Sequence, residues 1–330
     1  MITIYENLDG AFTKRAACGE SRAQMVWVDL YRPTRDEELE VERWLNVAVP
    51  TREEMLEIEA SSRVYQDGGA HVMTAVVLHQ RHAAEPNQKA EELVATPVTF
   101  MLAGKNLITV RYEEPRAFPL FIQRAEKGDA ATSSACAVLL GLLEAIIDRE
   151  ADRAERITGE IDRLSQTIFD MKGGTMTRSK RYEIAIKNIG REGEFISRAR
   201  EGLHSLDRVL TYMTHVMSER GEEKALRNRV KTASRDITSL EQHVDALNSK
   251  VQFLLDATLG MISIEQNNII KIFSIASVAL MPPTLIASIY GMNFRHMPEL
   301  GWSFGYPMAI GLMIVSAIVP FLYFKRKGWF

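Results

Sequence analysis

The sequence predicts an α+β membrane protein: an N-terminal α/β domain, a long helical stalk and two C-terminal membrane-spanning helices. Three observations predict it. Residues 1–131 mix short β-rich runs with capped helices, residues 132–271 are helical and carry a heptad seam, and two uncharged segments of bilayer length follow. Composition alone hides the membrane. A hydrophobic share of 46% and a charged share of 25% are those of a soluble protein, because the polar body dilutes two short apolar segments.

In the first region, residues 25–30 (MVWVDL) read as a strand. Thr34-Arg-Asp-Glu37 and Thr51-Arg-Glu-Glu54 each match the capping box, in which a threonine and a glutamate satisfy each other's backbone N–H at a helix start. Four β-rich runs follow at 62–67, 72–80, 94–103 and 107–112, broken by Gly68-Gly69 and by a turn at Gly104-Lys105-Asn106. No glycine-rich phosphate loop, HExxH or nucleophile elbow is present, which argues against an enzyme. A net charge of -3 gives no basic footprint for nucleic acid. Cys18 and Cys136 are far apart and form no CxxC pair, so neither a disulfide framework nor a thiolate metal site is indicated. The opening MITIYENLDGAFTKR lacks the continuous apolar core of a secretory signal, so the body is expected to stay on the side where it is made.

Residues 132–222 are expected to form antiparallel helices. Ile157, Ile161, Leu164 and Ile168 make one apolar stripe, Gly173-Gly174 ends that helix, and another begins near Arg181. Glu144, Asp148, Asp152 and Glu155 share a face, the usual pattern of a solvated helix side. In the stalk, 223–271, residues Val230, Ala233, Ile237, Leu240, Val244, Leu247, Val251 and Leu254 alternate spacings of three and four. Such a seam faces either copies of itself or an adjacent helix. No breaker separates it from the first span.

That span covers 272–290 and the second 302–324, each long enough for about 30 Å of hydrocarbon at 1.5 Å per residue. The eleven residues 291–301 between them allow only a tight hairpin. Lys271 precedes the first span and Lys325, Arg326 and Lys327 follow the second, in the short tail 325–330, against Arg295 and His296 in the tip. The excess of basic residues on one side places both termini in the cytoplasm and a basic ring at that interface. Pro282-Pro283 deprives the carbonyls of Val278 and Ala279 of their helical donors, as at a wet cavity or at an ordinary packed kink.

Asn267, Ile270, Ser274, Ser277, Met281, Thr284 and Ser288 recur at three and four residues along one face of the entering helix, a candidate pore lining. Small and hydroxyl residues at such spacing also serve plain helix packing. The outer end reads Tyr290-Gly291-Met292-Asn293-Phe294, then Met297-Pro298-Glu299-Leu300. Several such helix ends around an axis would offer a cation unpaired carbonyls, negative dipole ends and the amide oxygen of Asn293. For a cation that sheds its water reluctantly, neutral acceptors bonded to the hydrated ion suit better than a stripping carboxylate cage.

A Gly-Met-Asn tripeptide closing the first of two C-terminal spans, an MPEL loop and the ending WSFGYP…YFKRKGWF resemble the CorA family of magnesium transporters over residues 267–330. The resemblance implies a funnel-shaped homopentamer in a bacterial-type inner membrane. It would pass Mg2+, and also Co2+ and Ni2+, passively, with Gly291, Met292 and Asn293 as the filter and no other cofactor. It sets Asn267, Met281, Thr284 and Asn293 at pore-facing positions, with Ile270, Phe273 and Met281 as an apolar constriction. It makes Asp256 a cytosolic regulatory Mg2+ ligand that closes the pore. Two residues depart from the family's pattern. Arg295 stands where an acid is common, leaving Glu299 the only carboxylate of the tip to attract cations, and Phe273 is bulkier than the common leucine. A zinc-transporting relative of the same architecture is the main alternative, and a non-conducting membrane-tethered coiled-coil scaffold a remote one.

Overall fold

The computed structural model describes residues 1–8, 11–16, 25–57, 59–81, 92–128, 130, 132–169, 178–293 and 297–328. Cys18, the Gly173-Gly174 break, Phe294, Arg295 and His296 lie outside them. The chain divides into two compact units, Met1–Met171 with Ala185–Leu254, and Lys172–Ile184 with Leu255–Phe330.

The first unit is built on a seven-stranded sheet of order β2-β1-β3-β7-β6-β5-β4. Its strands are β1 (Ile2–Leu8), β2 (Ala11–Ala16), β3 (Met25–Tyr31), β4 (Val64–Asp67), β5 (Ala70–Arg81), β6 (Glu92–Ala103) and β7 (Asn106–Arg111). Among the described residues only β3 and β7 pair in parallel, next to each other in the sheet. Both expected capping boxes are present, at Thr34 for α1 (Arg35–Leu45) and at Thr51 for α2 (Arg52–Met55). A one-turn α3 (Ala60–Arg63) occupies the start of the run expected as strand at 62–67, leaving β4 only Val64–Asp67. The β4–β5 turn needs positive φ at both Gly68 and Gly69, conformations that cost a Cβ-bearing residue.

Alternation along the strands gives the sheet two apolar faces. One carries Val28, Leu30, Met101 and Ile108 and is covered by Val41 and Met55 of the first two helices. The other carries Tyr5, Phe12, Trp27 and Phe100 and is covered by α4 (Ala117–Glu126) and α5 (Ala135–Phe169). Tyr5 stacks on Trp27 with centroids 4.4 Å apart, so the β1–β2 hairpin, which sequence reading missed, closes this core. Gly141 of α5 is required here, since a Cβ would stand 2.4 Å from the ring of Phe121.

Two further helices complete the body: α6 (Arg178–Glu219) and α7 (Lys224–Tyr290), each divided between the two units, α6 after Ile184 and α7 after Leu254. The heptad seam of α7 meets its own chain. Val230, Ala233 and Ile237 join the core of α5 and α6, and Val244, Leu247, Val251 and Leu254 pack with Ile157, Ile161, Leu164, Ile168, Ala185 and Ile189.

The outer edge of β5 beyond β4 would expose backbone groups, and the long helices satisfy them. Ser205 Oγ of α6 accepts from the Val76 N–H at 2.8 Å, and Arg153 Nη2 of α5 donates to the Leu78 carbonyl at 2.8 Å. Gly202 permits the approach, as a Cβ there would lie 3.3 Å from the Val76 carbonyl. Glu150 holds Arg153 in place at 2.6 Å, and burial pushes its carboxyl up from about 4.5 to about 7 against the pull of Arg153 and Arg149. The folded state therefore keeps a proton that the unfolded chain loses between those two values, and stability falls as pH rises through that window. Glu150→Gln is expected to flatten this dependence, worth about 3 kcal/mol at most, in thermal unfolding of the full chain at pH 5 and pH 8. An unchanged pH dependence would remove Glu150 as its source.

Candidate functional site

The second unit contains the last half of α7, a 3-10 turn at Pro298–Gly301 and α8 (Gly305–Arg326). Both α7 and α8 are long and apolar enough to cross a membrane, and only 6% of the most apolar window of each is buried. Such surface has to be covered by lipid or by other copies. The second helix starts at Gly305, after the expected Trp302, because residues 302–304 still form the turn that follows Pro298–Gly301.

All seven residues of the expected stripe, Asn267, Ile270, Ser274, Ser277, Met281, Thr284 and Ser288, are exposed. At about 100° per residue they cluster on one face of α7. The buried or half-buried residues of the same stretch, Ile275, Ala279, Pro282, Pro283, Ile286 and Tyr290, cluster on the other. The stripe thus lies opposite the few residues that its own chain covers, on a helix whose other positions, Ile272, Leu280 and Leu285 among them, are exposed as well. Phe273 flanks it and, like Met281, is 70% exposed. Pro282 and Pro283 are half-buried and lie on the side away from the stripe.

The hydroxyls of the stripe are oriented by the helix itself. Ser277 Oγ donates to the Phe273 carbonyl at 2.9 Å and Thr284 Oγ1 to that of Leu280 at 2.8 Å. With their protons committed to the backbone, these oxygens turn lone pairs outward and act as acceptors. An acceptor face suits the waters around a cation, whose protons point away from the ion.

At the outer end α7 stops through Gly291 N–H to the Ala287 carbonyl at 2.9 Å and Met292 N–H to that of Ile289 at 3.2 Å. Gly291 has no positive φ, and a Cβ there would stand a tight 3.1 Å from the Ala287 carbonyl. Gly291, Met292 and Asn293 are all exposed at this end. Tyr290 and Gly291 also line a cleft of about 430 Å³ with Trp302, Tyr306, Ala309 and Met313. Pattern reading did not single out Tyr306, Ala309 or Met313, since an aromatic or apolar residue near a membrane boundary looks the same wherever it points.

Asp256 is exposed on α7 and makes no ion pair among the described residues. Lys271, Lys325, Arg326 and Lys327 are exposed, and Lys327 lies 5.3 Å over the Tyr323 ring. The backbone of Glu299 belongs to the 3-10 turn. No group of three or more His, Cys, Asp or Glu able to hold a metal ion occurs among the described residues.

Comparison with known proteins bears on what such a site does. Residues 22–326 match the sequence model of the CorA-like Mg2+ transporter protein family. The magnesium transport protein CorA of Mannheimia succiniciproducens is 36% identical over 305 residues, covering 92% of each chain. The complete structure of the CorA magnesium transporter from Methanocaldococcus jannaschii superposes with a TM-score of 0.77 at 16% identity, over 100% of this chain and 99% of that one. The ZntB cytoplasmic domain from Vibrio parahaemolyticus aligns at a TM-score of 0.57 and 12% identity, over 79% of this chain and 97% of its own. These last two likenesses establish the fold and do not separate one ion from another. The family consists of membrane transport proteins, not enzymes, and the chain belongs to it: this is a member of the CorA-like Mg2+ transporter family.

Proposed function

We propose that the protein carries divalent cations, Mg2+ first and Co2+ and Ni2+ with it, across a bacterial inner membrane. The path is a pore formed by several copies, five by family likeness, with both termini in the cytoplasm. The observation that carries this reading is the stripe of oxygen acceptors and apolar residues on an exposed face of α7. Two helices of one chain cannot enclose a channel, so copies of α7 around an axis would turn this face inward.

Gly291, Met292 and Asn293 then form the outer filter. Their neutral oxygens bond to the ion's water shell, which binds it without stripping it and lets it leave. Glu299 draws cations to the tip. Farther in, Ser288, Thr284, Ser277 and Ser274 accept from the same waters, and Asn267 closes the row. Met281, Phe273 and Ile270 are wide apolar side chains that close the path by excluding water when the helices approach. Lys271, Lys325, Arg326 and Lys327 fix the depth of the spans against lipid phosphates. The membrane potential suffices to drive uptake, since a doubly charged ion gains roughly twice 2.3 kcal/mol per 100 mV.

The test is influx into liposomes carrying a magnesium-sensitive dye, with Co2+, Ni2+ and Zn2+ in parallel and internal Mg2+ held low. Dye response to external Mg2+ is the expected result. Zinc flux without magnesium would move the protein to the zinc-carrying relatives, and folded protein that passes no ion would leave the scaffold. For regulation, Asp256 is the cytosolic ligand whose Mg2+ holds neighbouring copies together and the pore shut. Asp256→Ala is expected to raise, about tenfold or more, the internal Mg2+ needed for closure. Closure at the wild-type concentration would end that role.

A further inference from the structure

Within the first unit a cleft of about 370 Å³ opens between α6 and α7, a volume in the range of small-molecule sites, roughly 300–1,000 Å³. Its floor is apolar, with Met217 and Val230 buried. Its rim is cationic. Lys224, Arg227 and Lys231 of α7 line it, and at about 100° per residue they lie within about 60° of one another around that helix. Thr214 and Ser218 of α6 and Asn228 of α7 stand among them. The side chains of Ser218 and Asn228 have no partner among the described residues and are free to donate, whereas Thr214 Oγ1 commits its proton to the Leu210 carbonyl at 3.0 Å.

None of these three cations pairs with a carboxylate among the described residues, and exposed Arg235 continues their row by one turn. Glu223, next to Lys224 in sequence, is exposed and pairs with none of them, so the row keeps a net positive charge. Like charges three and four residues apart repel, and these stand at the positive end of the helix. Farther along the same seam the chain supplies its own counter-charges. His204 of α6 meets Glu241 of α7 at 2.7 Å and Arg200 meets Asp245 at 3.3 Å, while α7 pairs Arg229 with Glu144 and Lys250 with Asp162. At the cleft no carboxylate of the described residues plays that part, and an anion from outside would relieve the row.

We propose that this cleft binds a soluble polyphosphate anion, its phosphates laid along α7 from Lys224 to Lys231. Those two lysines are seven residues apart, about 10 Å along the helix axis, a span over which a chain of phosphates sets an oxygen beside every cation and a single phosphate does not. Arg227, between them, grips one phosphate with its planar fork, and the lysines act as point charges on either side. Ser218 and Asn228 add neutral donors. A lipid phosphate would satisfy the same charges, but a surface that meets a bilayer carries apolar side chains, and none that is large is exposed between positions 184 and 253 among the described residues. The site is separate from the stripe of α7 and does not depend on the pore reading.

The experiment is the binding of fluorescently labelled ATP, followed by anisotropy, to the full-length protein in detergent, with EDTA present so that the probe carries no metal. Wild type is expected to bind, with inorganic tripolyphosphate displacing the label and affinity falling as salt rises. Lys224→Gln/Arg227→Gln/Lys231→Gln is expected to weaken binding at least about tenfold. Lys14→Gln/Lys105→Gln/Lys127→Gln removes the same charge from exposed positions elsewhere in the first unit and should bind like wild type. Circular dichroism checks that both variants fold, and Lys224→Arg/Lys231→Arg, which keeps the charges, should retain binding. Wild type that binds no ATP overturns the proposal. Equal loss in the two triple variants does so too, since overall charge would then account for the binding. Displacement of the label by dihexanoyl phosphatidic acid as readily as by tripolyphosphate would give the cleft to a lipid headgroup and overturn the soluble ligand.

Discussion

Replacing Asn293 by alanine is expected to lower the initial rate of Mg2+ influx into liposomes at least about tenfold, with assembly and folding unchanged. The expectation follows from where the side chain stands. Asn293 is exposed just past the end of α7, beyond the point where Met292 N–H closes the last turn on Ile289. It supplies the last side-chain oxygen before the outer loop, and in an assembly of n copies one substitution removes n amide oxygens from a single ring. A hydrated cation loses that many acceptors at the mouth of its path at once. Backbone carbonyls of Gly291 and Met292 would remain, so the ion is still attracted but is no longer held on the axis. Asn293→Gln keeps the amide one methylene farther out and should fall between the two. Wild-type influx from the alanine variant would place the filter elsewhere, and Ser288 and Thr284 would be the next ring to test.

How far the sequence reveals all this depends on the range of the interaction that sets each feature. Capping boxes at Thr34 and Thr51 are written in four consecutive residues, and both form. The spans are legible because lipid demands uncharged runs, and the stripe because helix geometry alone puts residues three and four apart on one face. The β1–β2 hairpin was missed, since its strands are recognised only by what Tyr5 and Phe12 stack against, and Trp27 lies outside the hairpin. Sheet order was likewise beyond reach: β3 and β7 are neighbours although about 75 residues separate them, and no local pattern announces a parallel pair. The seam of α7 left two partners open, and its own α5 and α6 take it. The edge of β5 shows the same limit. Ser205 and Arg153 look like ordinary helix-surface residues until a strand edge lies beneath them.

The largest stability effect is expected at Asp29, a carboxylate that alternation in MVWVDL places on the same face as Trp27 and that is only 2% exposed. Its carboxylate accepts from Thr109 Oγ1 at 2.7 Å and from Arg111 Nε and Nη2 at 3.1 and 2.8 Å. Trp27 Nε1 donates to the same threonine at 2.9 Å. The Arg111 guanidinium is itself enclosed, 4.6 Å from the centroids of both Tyr31 and Phe118. The pair therefore fastens β3 to β7 at the one parallel junction of the sheet, with each donor aimed at one carboxylate. Asp29→Ala leaves a buried cation and a buried hydroxyl proton without their acceptor, a loss of about 3–5 kcal/mol. In thermal unfolding of the full chain that corresponds to a fall in Tm of roughly 10 °C. The double variant Asp29→Leu/Arg111→Met removes both charges and should recover most of the loss, because apolar replacement of a buried pair is often neutral. If the double variant is as unstable as the single, the pair matters through the hydrogen bond that Asp29 accepts from Thr109, which Trp27 in turn donates to, and not through the isolated charge.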